Sequence, residues 1–112
     1  MAYDEGHATL MREELFDIIG HNTITEKKMF GGLCFLLNGH MVCGVHKDGG
    51  MARIGKSREA EALRIEGTAP LSFTGRPMGG LIDLSEDLLE DDSRRAAVLR
   101  LALKNAQSLP PK

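Results

Sequence analysis

Residues Gly50 to Ser57 read GMARIGKS, which matches the pattern G-x-x-x-x-G-K-[ST] of a phosphate-cradling loop. In that chemistry, backbone N–H groups wrap the phosphates, Lys56 would reach their oxygens and Ser57 would hold magnesium. The geometry demands a parallel strand before the loop and a long helix after it. The flanking residues oppose this. Asp48-Gly49 is a two-residue hairpin signal, so MARI continues as a strand. The REAEAL segment beyond supplies only about two helical turns, and LID, ending at Asp83, is a weak match to a magnesium-binding strand end. The expected structure is a strand-to-helix connection with a solvated Lys56 and Ser57 as a helix N-cap. Nucleotide binding through Gly50–Ser57 stands as a minor alternative, and no cofactor is expected.

The next candidates are thiols and imidazoles. Asn38-Gly39 favours a tight turn and sets a register in which Leu37 faces His40, Leu36 faces Met41, Phe35 faces Val42 and Cys34 faces Cys43. In a non-hydrogen-bonded pair the Cα atoms approach to about 4.5 Å, the short end of disulfide geometry. Cys34 and Cys43 are therefore a candidate redox pair. Reduced thiols packed as small hydrophobes are the favoured alternative, because no Lys or Arg adjoins either in sequence. This register puts His40 and His46 on the face of Phe35 and Val42, about 20 Å apart along the strand, with both thiols opposite. Such a set cannot converge on one tetrahedral ion, so no metal is expected. His7 and His21 flank the first helix and are expected to be exposed.

Extended through Asp48-Gly49, the same register defines two sheet faces. One holds Cys34, Leu36, Met41, Cys43, Val45, Ala52 and Ile54, and must pack on helices. The other holds Leu33, Phe35, Leu37 and Val42 beside His40, His46, Met51 and Arg53. An apolar second face needs its own cover. A homodimer or another protein partner is expected there, with Phe35 and Arg53 as candidate contacts.

These groups sit on a chain of 112 residues, the size of one domain, covering residues 1–112 with a core over about 9–107. Lys and Arg number 14 against 16 Asp and Glu, for a net charge of −2. A protein that lives on phosphate contacts carries an excess of cations, so tight, autonomous nucleic-acid binding is disfavoured. The chain has no Trp and one Tyr, which leaves no stacking platform for single strands. Arg94, Arg95, Arg100 and Lys104 on the last helix keep direct nucleic-acid binding as an alternative, opposed by the acidic run from Glu86 to Asp92. No apolar run is long enough to span a membrane and no signal pattern opens the chain, so the expected location is the cytoplasm.

Periodicity predicts a helix over 9–19, capped by Thr9 and stopped at Gly20. Strands follow over 32–37, 40–46 and 51–55, then a short helix over 58–65. Strands over 70–74 and 81–85 and a helix over 92–107 complete the order. This is an α+β domain: two layers, a mostly antiparallel five-stranded sheet packed against N- and C-terminal helices. No acid/base or nucleophile constellation assembles, so an enzyme is not expected.

Three stretches carry a resemblance: MFGGLCFLLNGHMVCGV from Met29 to Val45, MARIGK from Met51 to Lys56, and PLSFTGRPMGG from Pro70 to Gly80. Together they resemble the N-terminal domain of the TfoX/Sxy competence-regulator family over about residues 9–107. The resemblance implies a secretion-chaperone-like α+β fold without a known catalytic site. It also implies a role in regulating natural transformation beside a cyclic-AMP receptor-type transcription activator. Full-length members carry a C-terminal domain resembling helix-hairpin-helix modules, and this sequence ends at Lys112 without one. Within the motifs, Arg53 and Arg76 are candidate partner or anion contacts, with salt bridges or carbonyl hydrogen bonds as their structural alternative.

Overall fold

The computed structural model describes residues 3–20, 24–29, 31–72 and 77–110. Helix α1 spans Glu5–Ile19 and begins earlier than Thr9. Its N-cap is Asp4, whose carboxylate accepts from the backbone N–H of Gly6 at 2.7 Å and of His7 at 3.1 Å. Those bonds hold the Asp4 carboxyl below its usual range. The Thr9 hydroxyl instead donates to the Glu5 carbonyl inside the helix. Gly20 ends the helix at a φ of +88°, as expected.

Six strands follow: β1 Ile24–Met29, β2 Gly32–Leu37, β3 His40–His46, β4 Gly49–Arg53, β5 Thr68–Ser72 and β6 Pro77–Leu84. All neighbours pair antiparallel, in the order β1-β2-β3-β4-β6-β5. The strand missing from the five-stranded expectation is β1. Its ITEKKM sequence hides the period-two signal, because Thr25, Glu26, Lys27 and Lys28 are all exposed. Between β4 and β5 the chain makes one 3-10 turn, Lys56–Arg58, and one α-turn, α2, Glu59–Ala62. Neither has a side-chain cap, so Ser57 is not the N-cap expected of it. Helix α3, Glu86–Leu89, is capped by the Ser85 hydroxyl, and α4, Asp92–Ser108, by Asp91.

The main correction concerns register. Leu37 does pair with His40 and Leu36 with Met41, but Phe35 then pairs with Cys43, Cys34 with Gly44 and Leu33 with Val45. A β-bulge between Phe35 and Leu36 leaves Val42 as the extra residue. Because side chains alternate with a period of two, one inserted residue exchanges faces for everything beyond it. The face packed against helices is therefore Leu33, Phe35, Leu37, Val42, Cys43, Val45, Ala52, Ile54, Ile82 and Leu84. Ala8, Met11 and Leu15 of α1, Leu88 and Leu89 of α3, and the apolar stripe of α4 complete this core.

Polar ties join the two layers. Arg12 donates twice to Glu26, at 2.6 and 2.8 Å, and its guanidinium lies 5.8 Å from the Phe35 ring centre. That pairing draws the Glu26 carboxyl below its ordinary range. His7, expected at the surface, is buried, and its Nε2 lies 2.9 Å from a carboxylate oxygen of Glu90.

Candidate functional site

The helices cover one side of the sheet. The other side carries a second apolar cluster built from strand residues alone: Cys34, Met51 and Leu71 are buried, with half-buried Leu36, Met41 and Leu81 packed on them. Pairing and alternation place Cys34, Gly44, Met51 and Asp83 in one row across four strands. Beside that row Leu36 pairs with Met41, and Arg53 pairs with Leu81. Arg53 is half-buried and makes no ion pair with a described residue.

Of the candidate contacts among the described residues, Arg53 keeps its place on this face, and His46 and Met51 also lie on the side expected of them. Phe35 is fully buried beneath α1 and cannot contact a partner, a direct consequence of the bulge. Arg76 lies outside the described residues. His46 joins the second face, whereas His40 sits at the far end of β3 with its Nε2 against the Pro110 carbonyl. Leu36, Met41 and Leu81 were missed as contacts. The first two were assigned to the helix-packed side by a register that omits the bulge. No local signal in CFLLNGHMVCG marks Val42 as the extra residue.

The thiols are free and both buried. They are not the direct pair that the unbulged hairpin predicts: Cys43 belongs to the helix-side core and Cys34 to the opposite cluster. Burial pushes the Cys34 thiol up to about 11 and that of Cys43 well above its ordinary range. Both are protonated at neutral pH, so a water-soluble disulfide reagent should label neither in the folded protein and both after unfolding. Fast labelling of either thiol in the folded protein would contradict this placement. Since folding raises these values, their contribution to stability is complete below the ordinary thiol value of 9.0 and is lost as pH rises through about 11.

GMARIGKS is strand and turn. Gly50, Met51 and Ala52 pair with both β3 and β6, Arg53 pairs with β6, and the backbone N–H groups of Ile54 and Gly55 donate to the Gly80 carbonyl at 2.8 and 3.2 Å. The Gly80 N–H donates to Glu59 at 2.9 Å. Gly55 and Gly80 hold φ values of +82° and +83°, and a Cβ on Gly80 would lie 3.3 Å from the Gly55 Cα. These glycines let two backbones cross closely. Within the motif, the N–H groups of Ile54 and Gly55 are spent on a protein acceptor.

Two further constellations also resolve into structural roles. His46 Nε2 lies 2.9 Å from Asp83, while its Nδ1 accepts from the Asp48 N–H at 3.1 Å. Both ring nitrogens are engaged, so this pair offers no free base. On α4, Arg94 donates to the Glu66 carbonyl and pairs with Asp91, and Arg95 is buried. Arg100 and Lys104 remain as the exposed cations of the basic stripe.

Fold and face define a two-layer α+β domain whose antiparallel sheet is covered by helices on one side and keeps an apolar, strand-built cluster on the other. The chain belongs to the TfoX N-terminal domain family, whose model matches residues 14–106, and so to the competence-related regulatory domains. Neither a curated protein nor a solved structure matches the chain.

Proposed function

We propose that this domain is a non-enzymatic regulator of transcription that acts through protein contacts made by the helix-free face of its sheet. The observation that carries the reading is the second apolar cluster, which contains no helix residue and has Arg53, a cation without an ion pair among the described residues, directly across from Leu81. Aromatic and arginine anchors set among apolar neighbours are characteristic of protein contact surfaces. Family membership supports the regulatory setting. The reading is also favoured by the engaged ring nitrogens of His46 and by the N–H groups of Gly55 and Gly80, which already have acceptors. Direct nucleic-acid binding has weaker support, because Arg94 and Arg95 serve internal bonds.

Leu81→Asp tests the face. The side chain is half-buried, points away from the helix-side core, and lies opposite Arg53. Placing a carboxylate there should abolish activation of a competence-promoter reporter while the far-ultraviolet circular dichroism stays unchanged. Reporter activity equal to the unsubstituted protein would remove this face from the function.

A further inference from the structure

We propose that the protein seated on this face is a second copy of the chain, docked about a twofold axis with two reciprocal Arg53–Asp83 ion pairs. The inference rests on the reading of the face as a protein-contact surface, and names its partner.

Association by strand addition is blocked at both sheet edges. The outer strand β1 presents exposed Glu26, Lys27 and Lys28, and the outer strand β5 contains Pro70, which has no N–H to donate. Copies of this chain must therefore meet face to face.

The face is self-complementary. Met51 pairs with Asp83 and Arg53 with Leu81, so these four residues form the corners of a rectangular cell on adjacent strands. Its sides are about 4.8 Å between strands and about 6.6 Å along them. Met51 and Leu81 occupy one diagonal, Arg53 and Asp83 the other. A twofold axis lying between two stacked faces, along the Met51–Leu81 diagonal, carries each Arg53 corner to within about 2–3 Å of the Asp83 corner of the second copy. Arg53 then reaches Asp83 of the second copy, and half-buried Leu81 meets its own image above the buried Met51, as an isologous interface requires.

Both charges are available for this. Arg53 makes no ion pair with a described residue, and its apolar cross-strand neighbour Leu81 disfavours leaving it unpaired once water is displaced. Asp83 engages His46 through Oδ1, and its side chain remains 38% exposed, so the carboxylate can accept a second donor. Half-buried Leu36 and Met41 extend the apolar contact beyond this cell.

Charge reversal supplies the test, read by sedimentation or light scattering of the full chain at high micromolar concentration. The unsubstituted protein should have the mass of a dimer. Arg53→Glu and Asp83→Arg should each weaken self-association about thirtyfold or more, because like charges then oppose each other twice. An equimolar mixture of the two variants should recover the dimer, since both contacts in the heterodimer become attractive. Circular dichroism of each variant checks the fold. A monomeric mass for the unsubstituted protein, or failure of the mixture to associate while both variants are folded, overturns the dimer. The broader reading is decided separately: if Leu81→Asp abolishes reporter activation although the protein is a monomer, the face stands and its occupant is a different protein.

Discussion

Phe35→Ala should lower the free energy of unfolding by about 3–5 kcal/mol, the range for deleting a fully buried aromatic side chain. The ring has no exposed surface, pairs with Cys43 across the sheet, and lies beneath the Arg12 guanidinium of α1. Truncation removes the transfer free energy of the ring and leaves a cavity that the surrounding strands cannot fill without moving backbone. Chemical denaturation measures it, with the midpoint shifting and the slope unchanged. The comparison that matters is Leu36→Ala on the neighbouring residue, which is only half-buried in the second cluster and should cost clearly less. An unbulged hairpin predicts the reverse order, with Leu36 under the helices and Phe35 outside. If Leu36→Ala proves the costlier substitution, the bulge is absent and the assignment of faces fails with it.

Arg95→Ala should cost about 3 kcal/mol, through a different mechanism. Arg95 is 6% exposed, and its guanidinium donates to the Leu89 carbonyl at 2.6 Å and to Asp92 at 2.7 Å. Its Nε lies 3.3 Å from Glu14, whose side chain is 13% exposed, but without the alignment of a hydrogen bond. That contact is Coulombic, and it joins α1 to α4. Asp92 is 90% exposed, so its share is small. The cost of removing Arg95 comes mainly from a Glu14 carboxylate left without its countercharge and a Leu89 carbonyl left without its donor. The paired change Glu14→Leu with Arg95→Met should recover most of the loss, because replacing a buried ion pair by apolar side chains of similar volume is often neutral. A single-substitution cost below about 1 kcal/mol would place this pair among surface ion pairs of little consequence.

Much of this architecture is written in short stretches. Asn38-Gly39 marks its turn because both central positions favour positive φ, and the two adopt φ values of 53° and 86°. Asp48-Gly49 announces the second hairpin but misplaces its turn by one residue: His46 pairs with Gly49 around Lys47-Asp48, so Val45 faces Gly50 and Cys43 faces Ala52, in place of the expected Ala52 and Ile54. The last helix announces itself through Asp91, whose carboxylate accepts from the Arg94 N–H, and through the spacing of Val98, Leu99, Ala102, Leu103 and Ala106. The strand character of MARI follows from the turn before it and holds in the sheet. β1 was illegible for a physical reason: an outer strand guards its edge with charges, and those charges erase the alternation by which a strand is recognised.

The candidate site was legible only in outline. An apolar sheet with two faces to cover can be deduced from composition and alternation, and Arg53 can be placed on the side away from Ala52 and Ile54. Which β2 residues join Arg53 cannot, because Val42 is an ordinary strand residue whose extra position shows only when β3 is laid against β2. His7 is a parallel case. It looks like a surface residue near the chain start, and it is buried because Glu90, distant in sequence, comes to meet it.

The sequence by itself determined the Asn38-Gly39 turn, the presence of a second hairpin, the helix stop at Gly20, the α+β order and the strand that replaces a phosphate loop, all properties of residues within a few positions of one another. Its motifs also carried the family resemblance. Tertiary structure alone decided that Phe35 faces the helices and Leu36 the open side, that Cys34 and Cys43 belong to different clusters, and that Arg94 and Arg95 are spent on internal partners. The division has one physical cause. Turn and cap preferences act locally, whereas strand register and charge pairing are settled between segments far apart in the chain, where a single bulged residue reverses every side chain that follows it.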